Sequence, residues 1–152
     1  MAAHTTTTKE VQETLHSVME SLIDGQEGFQ KIAEHLKDET LKRYFLAESL
    51  KRAQFRGAIE AMLHSEGDHD PKASGTVSGT LLRTWGDIKA HLGGGDHTLL
   101  ETAEQGEDAA KKAYKEALDK ELPLPVHQLL SSQYVHIQES HDYVKAARDR
   151  TK

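Results

Sequence analysis

Apolar residues recur along this chain in steps of three and four over long stretches and nowhere in strict alternation, a pattern that predicts helices and no strands. From Thr7 to about Leu36 the residues Val11, Leu15, Val18, Leu22, Phe29, Ile32 and Leu36 follow these steps, with one position, Gly25, unfilled. Thr7 and Glu10 stand at capping-box spacing at its start. A second helix is expected from Asp38, a good N-cap, to about Glu66, with Leu41, Phe45, Phe55, Ile59 and Met62 on one face. So short a break makes the first two helices an antiparallel hairpin. After the polar stretch from Gly67 to Ala73, a shorter helix from about Val77 to Leu92 carries Leu81, Trp85, Ile88 and Leu92, and Gly93 to Gly95 end it. The next helix begins near Asp96 or Thr98 and runs to about Lys120, with a small, mixed face of Leu100, Ala103, Glu107, Ala110, Tyr114 and Ala117. Thr98 and Glu101 suggest a capping box there. A last helix from about Pro125 to Arg150 presents Val126, Leu130, Ile137 and Val144, its proline suited to the first turn.

These elements describe one all-α domain over residues 1–152: two helical hairpins joined by a link of about thirty residues, the ferritin-like arrangement of a four-helix bundle rather than the simple up-down-up-down one. The helix with Trp85 would be an extra helix inside that crossover. All three prolines, Pro71, Pro123 and Pro125, fall outside the long periodic segments, in keeping with this reading.

Composition narrows the function classes. The chain has no cysteine, which excludes disulfides, thiolate zinc sites, iron–sulfur clusters and thiol nucleophiles together. A net charge of −6 with scattered Lys and Arg gives no basic footprint for nucleic acid or an anionic membrane. The apolar runs are far shorter than the roughly 20 residues of a bilayer span, and Met1 to Thr8 lacks a secretory pattern, so a cytoplasmic protein is expected.

Polar residues interrupt the apolar stripes at corresponding depths. Glu48 and Arg52 stand where the second helix should be apolar, and Glu107 does the same on its helix. On the last helix Gln133, Ser140 and His141 share the apolar face. Di-iron and di-manganese bundles place one Glu on each of two helices and a Glu-x-x-His pair on each of the other two. Glu48, Glu107 and His141 could be a remnant of such a set. Against it, Lys51 stands where a histidine is needed, Gln138 replaces the glutamate before His141, and the first helix offers Gln26 or Gly25 instead of a glutamate. Arg52 adds positive charge where dications would sit, and Glu48 to Arg52 is the favourable i to i+4 order for an ion pair. The competing expectation is a buried salt-bridged layer of Glu48, Arg52, Glu107, Gln133 and His141 that fixes helix register. Gly25 and Gly28 are expected to serve close packing, against Trp85 or Tyr134, or else to leave a vacancy for a small ligand. Of the ten histidines, His64 and His69 with Asp68 and Asp70 form a loop cluster read as surface, His97 is read as part of a cap, and His136 as lying on a flank. No Ser/His/Asp set, phosphate loop or H-E-x-x-H motif is present.

Asp24-Gly25-x-x-Gly28-Phe29, Arg52-Ala53-Gln54-Phe55, Gly79 with Trp85-x-Asp87-x-Lys89, Gly95-Asp96, Gly106-Glu107-Asp108-x-Ala110 with Tyr114, and Gln133 leading to His141-Asp142 together resemble bacterial ferritin-like bundle proteins classed as a domain of unknown function. The resemblance implies the ferritin-like fold and a di-metal layer that has been replaced, and it carries no reaction. Two functions remain open. One is a non-enzymatic or weakly metal-binding bundle in a stress-related or housekeeping role that associates with itself, as a homo-oligomer, or with a protein partner. The other is a redox or storage protein that holds iron, manganese or zinc on Glu48, Glu107 and His141.

Overall fold

The computed structural model describes residues 7–68 and 95–151, and they form four long helices: α1 (Thr8–His35), α2 (Glu39–Ser65), α3 (Asp96–Leu118) and α4 (Leu124–Arg150). The helix expected at Val77–Leu92, with His69, Asp70 and Trp85, lies outside the described residues. No described helix is long and apolar enough to cross a membrane.

Local signals set the helix ends. At α1 the Glu10 amide donates to Thr7 Oγ1 and the Thr7 amide to Glu10 Oε1, both at 3.1 Å, the reciprocal bonds that satisfy two orphan donors. Asp38 caps α2 by accepting from the Leu41 amide at 2.9 Å. The same helix closes with paired bonds from Asp68 N to Leu63 O (2.9 Å) and Gly67 N to His64 O (3.1 Å). That closure needs a left-handed residue after the cap, which Gly67 supplies at φ +97°. Helix α3 begins at Asp96 as expected, but Gly95 is its N-cap and no side chain caps it, so the expected Thr98–Glu101 capping box is not made. Asp96 instead accepts from the Lys37 and Asp38 amides at 2.8 and 3.0 Å and so ties the start of α3 to the α1–α2 turn.

That tie fixes the topology. Since α3 begins where α2 begins, the two run parallel. At the far end Lys120 Nζ donates to Thr14 Oγ1 at 3.1 Å, which confirms that α3 descends beside the rising α1. The Tyr44 ring stacks on Tyr143 (centroids 3.7 Å apart) while Phe55 meets His136 edge-on, so α4 runs antiparallel to α2. The order is therefore up-down-down-up, with α2 and α3 on one diagonal and α1 and α4 on the other. Packing is closest between α1 and α2, α3 and α4, and α1 and α3, whereas α2 and α4 stand further apart with large side chains between them.

The interior is split into two apolar cores. One contains Leu15, Val18, Leu22, Ile59, Leu63, Ala110, Tyr114, Leu130 and Ile137. The other contains Phe29, Ile32, Phe45, Leu99, Ala103 and Val144, with Phe29 and Phe45 edge to face at 5.0 Å. The break falls at one level on all four helices: between Leu22 and Phe29, Phe45 and Ile59, Ala103 and Ala110, and Ile137 and Val144. Glu48, Arg52, Glu107, Ser140 and His141 fall in that break along their helices, whereas Gln133 lies among the residues of the first core.

Candidate functional site

Arg52 is the centre of the layer. Its side chain is 0% exposed, which for a guanidinium demands compensating charge. Two carboxylates supply it. Nε donates to Glu48 Oε2 at 2.8 Å one helical turn back on α2, and Nη2 donates to Glu107 Oε1 at 2.5 Å on the diagonally opposite α3. The planar fork of arginine can serve two carboxylates in different directions at once, which an ammonium could not do with the same geometry. The third nitrogen, Nη1, has no hydrogen-bond partner. The guanidinium lies over the Phe29 ring, 4.8 Å from its centroid, an arrangement that offsets part of the missing bond.

Gly25 is explained by this guanidinium. A Cβ at that position would lie 3.0 Å from Arg52 Nη1, so among the described residues the glycine admits Arg52 and not Tyr134. The space expected as a vacancy is thus filled by the charged group, and Gly28 is buried one turn further along.

His136, read from the sequence as lying on a flank, belongs to the layer. Its Nε2 is 2.9 Å from both oxygens of Glu48, and with only acceptors facing it that nitrogen carries the proton. Glu48 thus receives donors from α2 and α4. Burial pushes its carboxyl up, but the His136 hydrogen bond and the Arg52 charge outweigh it and hold the group below the usual range. Glu107 behaves oppositely. Fully buried and with one partner, its carboxyl is pushed above the usual range by burial despite the attraction of Arg52. Its second oxygen, Oε2, has no partner, nor does the buried hydroxyl of Ser140. Ser140 sits beside both Glu107 and Tyr44, with its hydroxyl outside hydrogen-bonding geometry. Burial pushes the Tyr44 hydroxyl up to about 12. The two carboxylates raise Arg52 further, against the effect of its burial.

Gln133 and His141, the other expected members, go elsewhere. Gln133 accepts from the buried Tyr114 hydroxyl at 2.8 Å and donates to the Phe55 carbonyl at 3.2 Å, linking α2, α3 and α4 through one amide. His141 turns toward the α3 edge, with Nε2 2.8 Å from Asp108 Oδ1 and Nδ1 3.2 Å from Asp142 Oδ1. Glu104 lies nearby and pairs with Arg148. The structure therefore joins Glu48 to Glu107 through a guanidinium and keeps His141 apart from both. Among the described residues no three His, Asp or Glu side chains are grouped so as to hold a metal ion.

A second acidic site escaped the sequence reading. Glu20 and Asp24, one turn apart on α1, are 2% and 3% exposed, and each has an oxygen without a partner. Burial, together with the charges of Glu27 and Glu20, pushes the Asp24 carboxyl up to about 7. His97, expected in a cap, instead faces the end of α4, with Nδ1 3.1 Å from the Arg148 carbonyl. His16 pairs with Asp68 at 2.6 Å and fastens the residue after α2 to α1.

No curated protein matches this chain. A family model described as "Domain of unknown function (DUF2383)" matches residues 10–120, from the first turn of α1 to just beyond α3. The match takes in Gly25, Glu48, Arg52 and Glu107 and stops short of Gln133, His136 and His141 on α4. Since it covers most of the chain, the protein belongs to the DUF2383 family.

Proposed function

We propose that this protein is a ferritin-like bundle in which a guanidinium takes the place of the di-metal centre, and that it acts as a non-enzymatic helical module rather than as a ferroxidase. One observation carries the reading: the fully buried Arg52 bridges Glu48 and Glu107 across the bundle diagonal. In ferritin-like di-metal proteins carboxylates from facing helices meet around two dications at mid-bundle. Here the corresponding carboxylates meet around a fixed monocation that cannot be deprotonated under physiological conditions. A dication entering between them would meet repulsion from Arg52 at close range, in a medium where charges are poorly screened. The up-down-down-up order, with a long link between α2 and α3, supports the ferritin-like assignment. The layer's chemical role is to fix register, because only one axial alignment lets Arg52 reach both acids while His136 reaches Glu48.

Anaerobic purification from cells grown with iron, manganese and zinc, followed by elemental analysis, tests this. The proposal expects substoichiometric metal, unchanged by Glu107→Ala. Near-stoichiometric iron, manganese or zinc that is lost in Glu107→Ala would instead support a storage or redox protein using Glu48, Glu107 and His141.

A further inference from the structure

The outward face of α2 is built like a helix-packing surface, although no described helix covers it. Leu46, Leu50, Ala53, Gly57 and Ala61 follow steps of four, three, four and four, which place them on one side of the helix, away from the buried stripe of Leu41, Phe45, Arg52 and Ile59. Leu46 is 44% exposed and Leu50 67% exposed. No charged residue interrupts this row. Gly57 is the sharper anomaly. It lies in the interior of a 27-residue helix, where glycine is the least favourable residue after proline, and nothing lies within 4 Å of where its Cβ would be. Among the described residues no contact accounts for it.

The order of sizes along the row identifies the occupant. Both leucines lie in the N-terminal half, and the glycine and Ala61 lie in the C-terminal half. An antiparallel two-fold pairing centred between Ala53 and Gln54 sets Leu50 of one copy opposite Gly57 of the other and Leu46 opposite Ala61. Each large side chain then meets a small one, the self-complementarity that an isologous interface requires. A parallel pairing would set leucine on leucine, leave a gap at glycine on glycine, and oppose Lys42, Arg43 and Glu60 to their own copies. Antiparallel pairing keeps these like charges apart and brings Lys42 and Arg43 toward the partner's Glu60.

We infer that this face is the contact surface for a second copy of the chain, forming an antiparallel α2–α2 dimer with Leu50 seated against the partner's Gly57. The row spans about 22 Å of helix. One helix pair of that length, lined largely by small residues, falls below the roughly 1,200 Å² at which stable specific interfaces begin. The dimer is therefore a concentration-dependent equilibrium, not a permanent assembly.

Sedimentation velocity of the full chain over a wide concentration range reads the equilibrium directly. The wild type should pass from monomer to dimer, while Leu50→Lys and Gly57→Leu should each remain monomeric at concentrations where the wild type is mostly dimeric. Both positions are exposed, so helical content and melting of the dilute variants should be preserved; this separates lost pairing from lost fold. Because the chain has no cysteine, orientation can be read by oxidative cross-linking. Mixing Leu46→Cys chains with Ala61→Cys chains should give a mixed disulfide far faster than either chain links to itself. A wild type that stays monomeric throughout, a dimer indifferent to both substitutions, or cross-linking faster within each variant than between them would overturn the assignment. A monomer that instead captured a different protein on this face would overturn it as well.

Discussion

Replacing Arg52 by methionine keeps an unbranched apolar stem beside Phe29 and removes the outer guanidinium atoms with their charge and donors. Two acids lose a partner, with unequal consequences. Glu48 retains His136 at 2.9 Å, whereas Glu107 is left fully buried with no ionic partner and an oxygen that already lacked one. Removing one member of a buried ion pair costs about 3–5 kcal/mol. For a domain of this size each kcal/mol moves the melting point by about 2–4 °C, so a fall of roughly 6–20 °C is expected at neutral pH. The pH dependence gives a second, independent check. Glu107's folded-state pKa lies above its unfolded value, so the stability this group contributes is full below about pH 4.3 and is lost as pH rises through the folded value. Without Arg52 burial acts unopposed and that loss deepens. Glu48, whose pKa is lowered, has the opposite sign: its contribution is present above the unfolded value and disappears as pH falls. The deficit of Arg52→Met relative to wild type should therefore be largest near pH 8 and shrink toward pH 4. Urea denaturation followed by circular dichroism at several pH values measures this. A deficit under about 1 kcal/mol that is the same at every pH would refute the ion-paired layer.

The other predictions follow from the same geometry. Gly25→Ala should gain up to about 1 kcal/mol in helix propensity yet lose more by pressing on a guanidinium pinned by two carboxylates, giving a net loss of about 1 kcal/mol. In the Arg52→Met background the same change should stabilise, and a double-mutant cycle in urea without this reversal of sign would contradict the explanation of Gly25. Asp24, with a folded-state pKa raised to about 7, contributes stability that is full below its unfolded value and lost as pH rises through 7. Asp24→Asn should flatten the stability profile between pH 4 and 8 and raise stability at pH 8 by on the order of 2 kcal/mol. A carboxyl-carbon NMR titration placing Asp24 near pH 4 would disprove it. His136→Ala should cost about 1–2 kcal/mol and move the Glu48 titration upward, and an unmoved Glu48 would mean that the α4 bond is not made in solution.

Much of this architecture was legible in the sequence because helix signals are local. The Thr7–Glu10 box, the Asp38 cap and the three-and-four steps each depend on a few neighbouring residues, and the four described helices begin and end within about two residues of the expected positions. The layer was half legible. Charged residues inside an apolar stripe must find partners, which identified Glu48, Arg52 and Glu107 together. Which partner each one finds is a matter of side-chain direction across helices. His136 and His141 stand five residues apart on α4, near opposite edges of its buried stripe. One edge faces α2 and the other α3, and periodicity alone cannot tell them apart. A signal for His136 did exist: it lies three residues after Gln133 and four before Ser140, on the same side of the helix. Asp96 was legible as a helix start, but not the contact its side chain makes. A capping-box spacing at Thr98 and Glu101 competed with a contact between residues 58 and 59 positions apart, which no local rule could reveal. Glu20 and Asp24 gave no warning, since acids on the outer side of a helix ordinarily remain in water.

In the reading proposed above, the Arg52 guanidinium occupies the middle of this bundle at all times. The most direct measurement is ¹⁵N NMR of arginine side chains, following the Arg52 Nε–H signal with and without excess Mn²⁺. A proton buried and held on Glu48 at 2.8 Å should exchange with solvent far more slowly than those of the exposed arginines, and paramagnetic ion should leave it sharp. Fast exchange, or broadening of the Arg52 signal together with the carboxyl signals of Glu48 and Glu107 by stoichiometric Mn²⁺, would show that the layer opens to a metal and that the guanidinium does not replace one.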